Sequence, residues 1–180
     1  MLTLARATGR EREGSRLVAD FAARIDRVVR AVGSRGRPRV VALEWLDPMY
    51  VAGHWTPELI GLAGGEDVLG DAGGWSRTVS WDAIAGAEPE VVIVMPCGYD
   101  AARAHVEAAR YADRLAGLGA GKIVAVDASA YFSRPGPRLT DGVELLAHIL
   151  HPRLMPDPPP GAEMLAVEPA GVGLSATAGV

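Results

Sequence analysis

Cys97 and His54 are the two residues whose types and positions could support chemistry. Cys97 stands in Pro96-Cys97-Gly98, between an apolar run and a helix start. A helix dipole there could lower the thiol pKa and produce a nucleophile, with His54 or Glu44 as a possible base. Because free cysteines are commonly packed in the core, burial under the turn is the favoured interpretation and catalysis the alternative.

The histidines raise the question of a metal or ligand contact. His54 lies between Gly53 and Trp55, which suits either a ligand contact or a hydrogen-bonded structural role. His148 and His151 stand three residues apart near a helix end and form half of a metal-site spacing. No third ligand lies nearby, so we predict interaction with the helix C-terminal dipole and no metal site.

Composition and charge limit the possible functions. The chain has 180 residues, which is the length of one domain, and its formal net charge is -4. This balance lacks the basic excess of a nucleic-acid partner, and no phosphate-binding glycine motif follows a strand. A single cysteine excludes an intramolecular disulfide framework. Residues 1–14 contain no apolar stretch fit for a signal peptide, no window suits a membrane span, and the compartment stays open.

The hydrophobic pattern predicts an α/β fold with a doubly wound, mostly parallel sheet that is preceded by one long α-helix. The long helix is predicted over Ser15–Val32, and the strands over Arg39–Leu46, Glu90–Met95 and Lys122–Asp127. Glu66–Leu69 is compatible with a further short strand. We expect loops at Met49–Trp55, Gly70–Thr78 and Ala128–Arg138, and a tail from Arg153 that contains an edge strand and a frayed end.

Capping residues predict where the helices begin. Thr56 is expected to cap a helix that has Pro57 at its first position, Ser80 a short helix through Ile84, and Asp100 a helix that runs to about Leu115. For the last helix, Asp141 and Glu144 form the predicted capping box and Pro152 marks the end.

Aromatic residues concentrate outside the predicted core. Seven of the ten are in loop-like or element-end stretches: Trp45, Tyr50, Trp55, Trp75, Trp81, Tyr131 and Phe132. Parallel sheets bind ligands at the carboxyl ends of their strands, so we expect one aromatic and polar face there. Arg134 and Arg138 would either serve this face or pair with Glu44 or Asp141.

Five motifs in order carry a family resemblance. They are Val-Ala-Leu-Glu44-Trp45-Leu-Asp47-Pro48, Ala-Gly53-His54-Trp55-Thr-Pro57-Glu58-Leu, Ala-Gly64-Gly65, Met-Pro96-Cys97-Gly98-Tyr-Asp100, and Tyr131-Phe132-Ser-Arg134-Pro135-Gly136-Pro137-Arg138. Together, over Leu4 to Pro152, the sequence resembles the cobalamin-binding branch of the ABC-transporter substrate-binding proteins. That class also carries ferric siderophores and haem.

The resemblance implies a fold and a set of partners. The family has two α/β lobes joined by a long helix. Residues 1–35 would be this connector, 36–152 the C-terminal ligand-binding lobe and 153–180 a Pro-rich tail, with no N-terminal lobe before them. The implied protein is not an enzyme; its cargo is cobalamin or another corrinoid, and its partners are the transporter permease and an N-terminal lobe or a second copy. Family members are usually periplasmic or displayed at the cell surface.

The same resemblance implies roles for individual residues. The ligand face would consist of Trp45, His54, Trp55, Trp75, Tyr131, Phe132 and Arg134, because aromatic rings offer a corrin large, stiff apolar contacts. Asp82 would dock on the transporter, and a first-turn aspartate that complements the helix dipole is its alternative explanation.

Three other functions stay open. The chain could be a siderophore- or haem-binding relative of the cobalamin branch. It could be a small α/β enzyme that uses Cys97 as a nucleophile. The apolar stripe of the first long helix could also drive self-association.

Overall fold

Three parallel strands buried between two layers of helices form the centre of the protein. The computed structural model describes residues 1–33 and 35–168. Strand β5 (Val91–Val94) is buried at every position and lies between β1 (Arg39–Leu46) and β6 (Lys122–Val126), both parallel to it. A strand that is apolar on both faces requires a helical layer on each side.

Shorter strands extend this centre at both edges. They are β2 (Met49–Val51), β3 (Glu66–Asp67), β4 (Arg77–Thr78) and β7 (Met164–Ala166), in the order β4-β2-β1-β5-β6-β7. Strand β2 forms an antiparallel hairpin with β1 across the cis peptide bond Asp47-Pro48. Strand β3 runs parallel to β1, and β4 and β7 are antiparallel to β2 and β6.

The helices cover both faces of the sheet. One layer packs on Val40, Ala42 and Ile93 and the other on Val41 and Val92. None of the helices within residues 1–33 and 35–168 is both long and apolar enough to cross a bilayer. The helices are α1 (Leu2–Ala7), α2 (Glu11–Val32), α3 (Thr56–Leu62), α4 (Trp81–Gly86), α5 (Ala101–Ala109), α6 (Ala112–Ala116), α7 (Ala128–Tyr131) and α8 (Leu139–Leu150).

The predicted fold class is confirmed, and so are the three main strands and the edge strand of the tail. The loop predicted over Met49–Trp55 is wrong in part, since its first three residues form β2. Likewise, Arg77–Thr78 at the end of the predicted glycine-rich loop forms β4. The third predicted loop begins with a one-turn helix, α7, and the expected frayed end from residue 169 lies outside the described residues.

The helix predictions are confirmed in outline and corrected in detail. The long helix begins at Glu11 rather than Ser15, and α1 precedes it. Ser80 and Asp100 cap their helices through bonds from the Ala83 and Arg103 backbone N–H groups. The helix predicted from Asp100 to Leu115 is two helices, which are interrupted at residues 110–111.

Two predicted caps are wrong. Thr56 is the first residue of α3 and is buried, and the residue before it makes no side-chain capping bond. Asp141 and Glu144 do not form a capping box, because both carboxylates bind the Arg24 guanidinium of α2. An ion pair between residues that are far apart in the chain thus takes the place of the predicted local cap.

This ion pair attaches α2 to α8. Arg24 Nε donates to Glu144 Oε1 at 3.0 Å and Arg24 Nη2 to Glu144 Oε2 at 2.6 Å, and Nη2 also contacts Asp141. The hydrogen bonds that Arg24 donates to Glu144 foremost, and to Asp141, raise the pKa of Arg24 above its ordinary range. The three side chains are between 17% and 27% exposed, so water screens the pair only in part.

Asp67, at the end of β3, has a buried carboxyl group whose two oxygens differ in their hydrogen bonding. Its Oδ1 accepts bonds from the backbone N–H groups of Leu69 and Gly70, whereas Oδ2 is buried without a partner among the described residues. Burial raises the pKa of this carboxyl above its ordinary value.

We predict that Arg24→Met lowers the free energy of unfolding by about 2 kcal/mol, because two partly buried carboxylates lose their cation. Urea unfolding at neutral pH measures this change. Arg30→Met is the matched control: the Arg30–Asp26 pair is 4.0 Å apart and its side chains are 70% and 67% exposed, so its loss should cost under about 0.5 kcal/mol. Equal costs for the two variants would contradict the structural role of Arg24.

A second prediction concerns pH. The folded state raises the pKa of Asp67 above the unfolded value of about 3.9, so this group contributes stability below that value and loses it as pH rises through the folded pKa. Asp67→Asn carries no charge at any pH. Its stability relative to the parent should therefore increase between about pH 4 and pH 7 in urea unfolding. Asp157→Asn, at an exposed position between α8 and β7, is the control that corrects for the loss of one carboxylate at the surface. Parallel curves for the parent and Asp67→Asn would refute the prediction.

Candidate ligand-binding site

A small pocket opens at the carboxyl edge of the sheet. It has a volume of about 140 Å³ and is formed by the end of β1, the segment between β2 and α3, the turn after β5 and the segment after α7. We call it the carboxyl-edge pocket; its lining residues are Glu44, Ala52, Gly53, His54, Trp55, Thr56, Met95, Cys97, Phe132 and Ser133.

His54 is held against the glycine-rich loop by its own backbone. Its N–H donates to the Gly74 carbonyl at 2.7 Å, and its carbonyl accepts from the Gly73 N–H at 2.7 Å. The residue has a φ of 57°, in the left-handed region that side chains rarely adopt. The loop thus fixes the direction in which the imidazole leaves the backbone.

Gly53 permits this contact because it has no side chain. A Cβ at this position would lie 2.6 Å from the Ser76 backbone nitrogen and 2.6 Å from the Trp75 carbonyl carbon. Neither atom belongs to a flexible side chain, so the two segments meet backbone to backbone. This close approach places Trp75 beside the pocket.

Three rings form an aromatic wall that consists of His54, Trp55 and Trp75. The imidazole is edge-on to Trp75 with centroids 5.2 Å apart, and its centroid lies 5.7 Å from that of Trp55. Trp75 is 84% exposed. Trp55 is half-buried, and its Nε1 donates to the Phe132 carbonyl at 2.9 Å. The Trp55 ring is thus anchored, whereas the exposed Trp75 ring is available to contact a ligand.

The turn after β5 is tied to its neighbours by hydrogen bonds. The Cys97 N–H donates to the Glu44 carbonyl at 3.2 Å, and the Gly98 N–H to Ser133 Oγ at 3.0 Å. Cys97 itself is exposed. The expected burial of Cys97 under the turn is therefore wrong, because the residue lines the pocket and is exposed to solvent.

One lining residue of the pocket is a carboxylate, Glu44. Glu44 is half-buried, and its carboxylate accepts a hydrogen bond from the Ser76 hydroxyl. This bond joins β1 to the same loop that holds His54. Glu44 therefore pairs with neither Arg134 nor Arg138, and Asp141 is occupied by Arg24, so both predicted pairings are wrong. Arg134 and Arg138 are exposed, and Arg134 directly follows the lining residue Ser133.

The structure divides the residues predicted for the ligand face. His54, Trp55 and Phe132 line the pocket, and Trp75 contacts His54. Trp45 packs instead against Tyr99, 5.4 Å between centroids, and Tyr99 belongs to the other helical layer. Arg103 covers Tyr99 at 3.8 Å. Trp45 therefore lies beside this pocket rather than in it.

Tyr131 is the predicted site residue that is least available to a ligand. It is only 8% exposed and belongs to the core under α8. Burial, with the negative charges of Asp127 and Asp141 next in importance, raises the pKa of its phenol. Asp127 caps α7 through the Ala130 N–H.

Other residues singled out by sequence lie away from the pocket. Asp82 is exposed in the first turn of α4, beside Trp81 and Arg114. His148 Nδ1 bonds to the Met155 carbonyl at 2.7 Å and His151 Nε2 to the Gly64 carbonyl at 3.1 Å. The two histidines are thus linked to separate backbone segments rather than to one shared point.

Sequence reasoning did not assign Ser76, Ser133 and Met95 to the ligand face. Ser133 lies within the fifth motif, directly after Phe132. Its position in a carboxyl-end loop could therefore have indicated a place at the ligand face. Ser76 had no such signal, because it reaches Glu44 only through the contact between two separate loops. Cys97, for which the sequence suggests a role as a nucleophile, is a lining residue of the pocket.

The size of the pocket limits what it can do alone. Pockets that enclose a drug-sized ligand usually measure roughly 300–1,000 Å³, whereas this one has about 140 Å³. It can accept one edge or one group of a larger molecule. The exposed ring of Trp75 then extends the contact surface beyond the pocket.

Several solved structures have a similar fold. A periplasmic heme-binding protein from Pseudomonas aeruginosa is 20% identical, with a TM-score of 0.68 over 91% of this chain and 59% of that one. An ABC transporter substrate-binding protein from Listeria monocytogenes EGD-e is 19% identical, with a TM-score of 0.71 over 83% and 61%. An ABC-type Fe3+-hydroxamate transport system from Saccharomonospora viridis DSM 43017 is 20% identical, with a TM-score of 0.65 over 83% and 52%.

The chain thus spans between about half and three-fifths of the length of these structures. Sequence identities of this size establish the fold and leave the ligand open. A search of curated protein sequences gives no significant match. The family model described as periplasmic binding protein matches residues 1–130, well over half of the chain. With the α/β lobe and its carboxyl-edge pocket, this match means that the chain belongs to the periplasmic binding protein family.

Proposed function

We propose that this chain is the ligand-binding lobe of an ABC-transporter substrate-binding protein whose cargo is an iron chelate of the haem or ferric-siderophore class. The observation that carries the proposal is the aromatic wall of His54, Trp55 and Trp75 at the carboxyl edge of the sheet. Such rings give large, stiff apolar contacts to a flat or bulky chelate. The role is binding, without catalysis.

The class of cargo is argued from the similar structures together with this wall. Two of them are named for heme and for Fe3+-hydroxamate transport. The sequence motifs resemble the cobalamin branch instead, but none of the three structures compared is named for a corrinoid. Haem or a ferric siderophore is therefore our main proposal, and cobalamin becomes an outcome of the test.

The proposed site needs a second protein surface to cover the side of the ligand that the pocket leaves exposed. The pocket holds only part of a large ligand, and affinity depends on covering most of the ligand surface. Apolar side chains of α1 and α2 are also exposed, among them Leu4 at 68% and Leu17 at 41%. We propose that another lobe, from the same protein or from a second copy of this chain, covers these surfaces.

The other sequence-derived roles fit this proposal. Phe132 lines the pocket and Arg134 follows it, where a guanidinium could pair with an anionic group of the chelate. Trp45 and Tyr131 would contribute from beside and beneath the site. Asp82, exposed on α4, is proposed to dock on the transporter permease.

Titration with three cargo candidates tests the proposed function. Ferric haem, a ferric hydroxamate and cyanocobalamin are each added to the purified chain while tryptophan fluorescence and the absorbance of the ligand are followed. We expect saturable binding of haem or of the ferric hydroxamate. Saturation by cyanocobalamin alone, or by none of the three, would contradict the proposal.

Trp75→Ala locates the binding site. Because Trp75 is 84% exposed, its removal should leave stability unchanged and weaken chelate binding by about tenfold, which corresponds to about 1.4 kcal/mol. The matched control is Val106→Ala, an exposed apolar residue on α5. Ligand absorbance gives the dissociation constants, and equal affinities of the two variants would place the chelate elsewhere.

A further inference from the structure

We infer that His54 binds the iron of a haem cargo, with one imidazole nitrogen at an open axial position of the metal. The inference rests on the proposed function and narrows the cargo from iron chelates to haem. It concerns a bond between protein and metal, beyond the aromatic contacts argued above.

The first argument is the availability of the His54 ring. His148 and His151 each use a ring nitrogen to bond a backbone carbonyl. Neither ring nitrogen of His54 has a hydrogen-bond partner in the part of the chain that the structure describes, and the half-buried ring lines the carboxyl-edge pocket. A neutral imidazole nitrogen without a partner is a good ligand for iron.

The second argument is the backbone conformation of the same residue. His54 has a φ of 57°, which costs a residue with a side chain of the order of 1–2 kcal/mol. A glycine at this position would avoid that cost. Strained residues of this kind persist where the surroundings hold them, and they cluster at functional sites. Here the Gly73 and Gly74 bonds hold the strained residue.

The third argument decides between a bare metal ion and a chelated one. Within residues 1–33 and 35–168, no group of three or more His, Cys, Asp and Glu side chains is placed to hold a metal ion. A porphyrin supplies four nitrogens itself and leaves only the axial positions to the protein, so one histidine suffices. A hydroxamate siderophore that fills all six positions of its iron leaves none for His54.

Two other side chains could compete for the iron. Tyr131 is 8% exposed in the core, and its phenol has a raised pKa, so it offers no phenolate to the pocket. Cys97 lines the same pocket and is exposed. Cysteine thiolate is also a haem ligand, so the experiment must separate Cys97 from His54.

His54→Asn is the informative variant, because asparagine tolerates the left-handed conformation and the fold should persist. Thermal unfolding checks this point. Dissociation constants are measured for ferric haem and for metal-free protoporphyrin IX, and the Soret band of the haem complex is recorded. The parent should bind haem at least about tenfold more tightly than the metal-free ring, the lower end of losses typical when a metal site is perturbed. His54→Asn should lose this preference and shift the Soret band, and its affinity for the metal-free ring should fall by much less than its affinity for haem.

Cys97→Ser, in the same pocket, and His105→Asn, on α5 outside the pocket lining, are the controls. Both should keep the preference for haem over the metal-free ring and the Soret band of the parent. An unchanged preference in His54→Asn, or its loss in Cys97→Ser, would overturn the inference while haem binding itself still supports the proposed function. Binding of the ferric hydroxamate without haem would likewise overturn only the ligation by His54. Failure of haem, hydroxamate and cyanocobalamin together would overturn both.

Discussion

Burial of β5 on both faces is the constraint from which the rest of the structure follows. All four residues of Val91–Val94 are buried, and they alternate between the apolar clusters on the two faces of the sheet. Because parallel neighbours flank the strand, helices must cover both sides of the sheet. The loops after β1, β5 and β6 then emerge at one edge. The position of the pocket is therefore a consequence of how the core is buried.

The sequence predicted the features that depend on burial or on neighbouring residues. Strands β1, β5 and β6 each contain a run of at least four apolar residues, and the caps Ser80 and Asp100 bond within their own helices. The errors arise where a distant contact decides. Strands β2 and β4 have three and two residues, too few for a periodic pattern, and they exist because they pair with β1 and with each other. Asp141 and Glu144 have capping spacing, but Arg24 provides a stronger partner.

The same distinction explains the site. The predicted topology was sufficient to place aromatic residues at the carboxyl edge of the sheet. It did not predict which of these residues contact one another. Glu44 and Trp45 are adjacent in β1, and since side chains alternate along a strand, one enters the pocket and the other packs on Tyr99. The strained backbone of His54 depends on its bonds to the loop at residues 73–74, which no local pattern encodes.

The contact between Gly53 and the Trp75–Ser76 backbone connects fold and proposed function. This contact places the exposed indole of Trp75 beside the imidazole of His54, and it brings the Ser76 hydroxyl within hydrogen-bond distance of Glu44. The aromatic wall and the Glu44 side of the pocket are therefore held by the same loop. Groups held in advance lose little entropy when a ligand binds. In the proposed site, one directional bond from His54 and the large ring of Trp75 would hold one edge of the chelate, and another lobe would cover the remaining ligand surface. On this proposal, His54 and Trp75 would select the chelate, and the cover from another lobe would add to the affinity that these two residues supply.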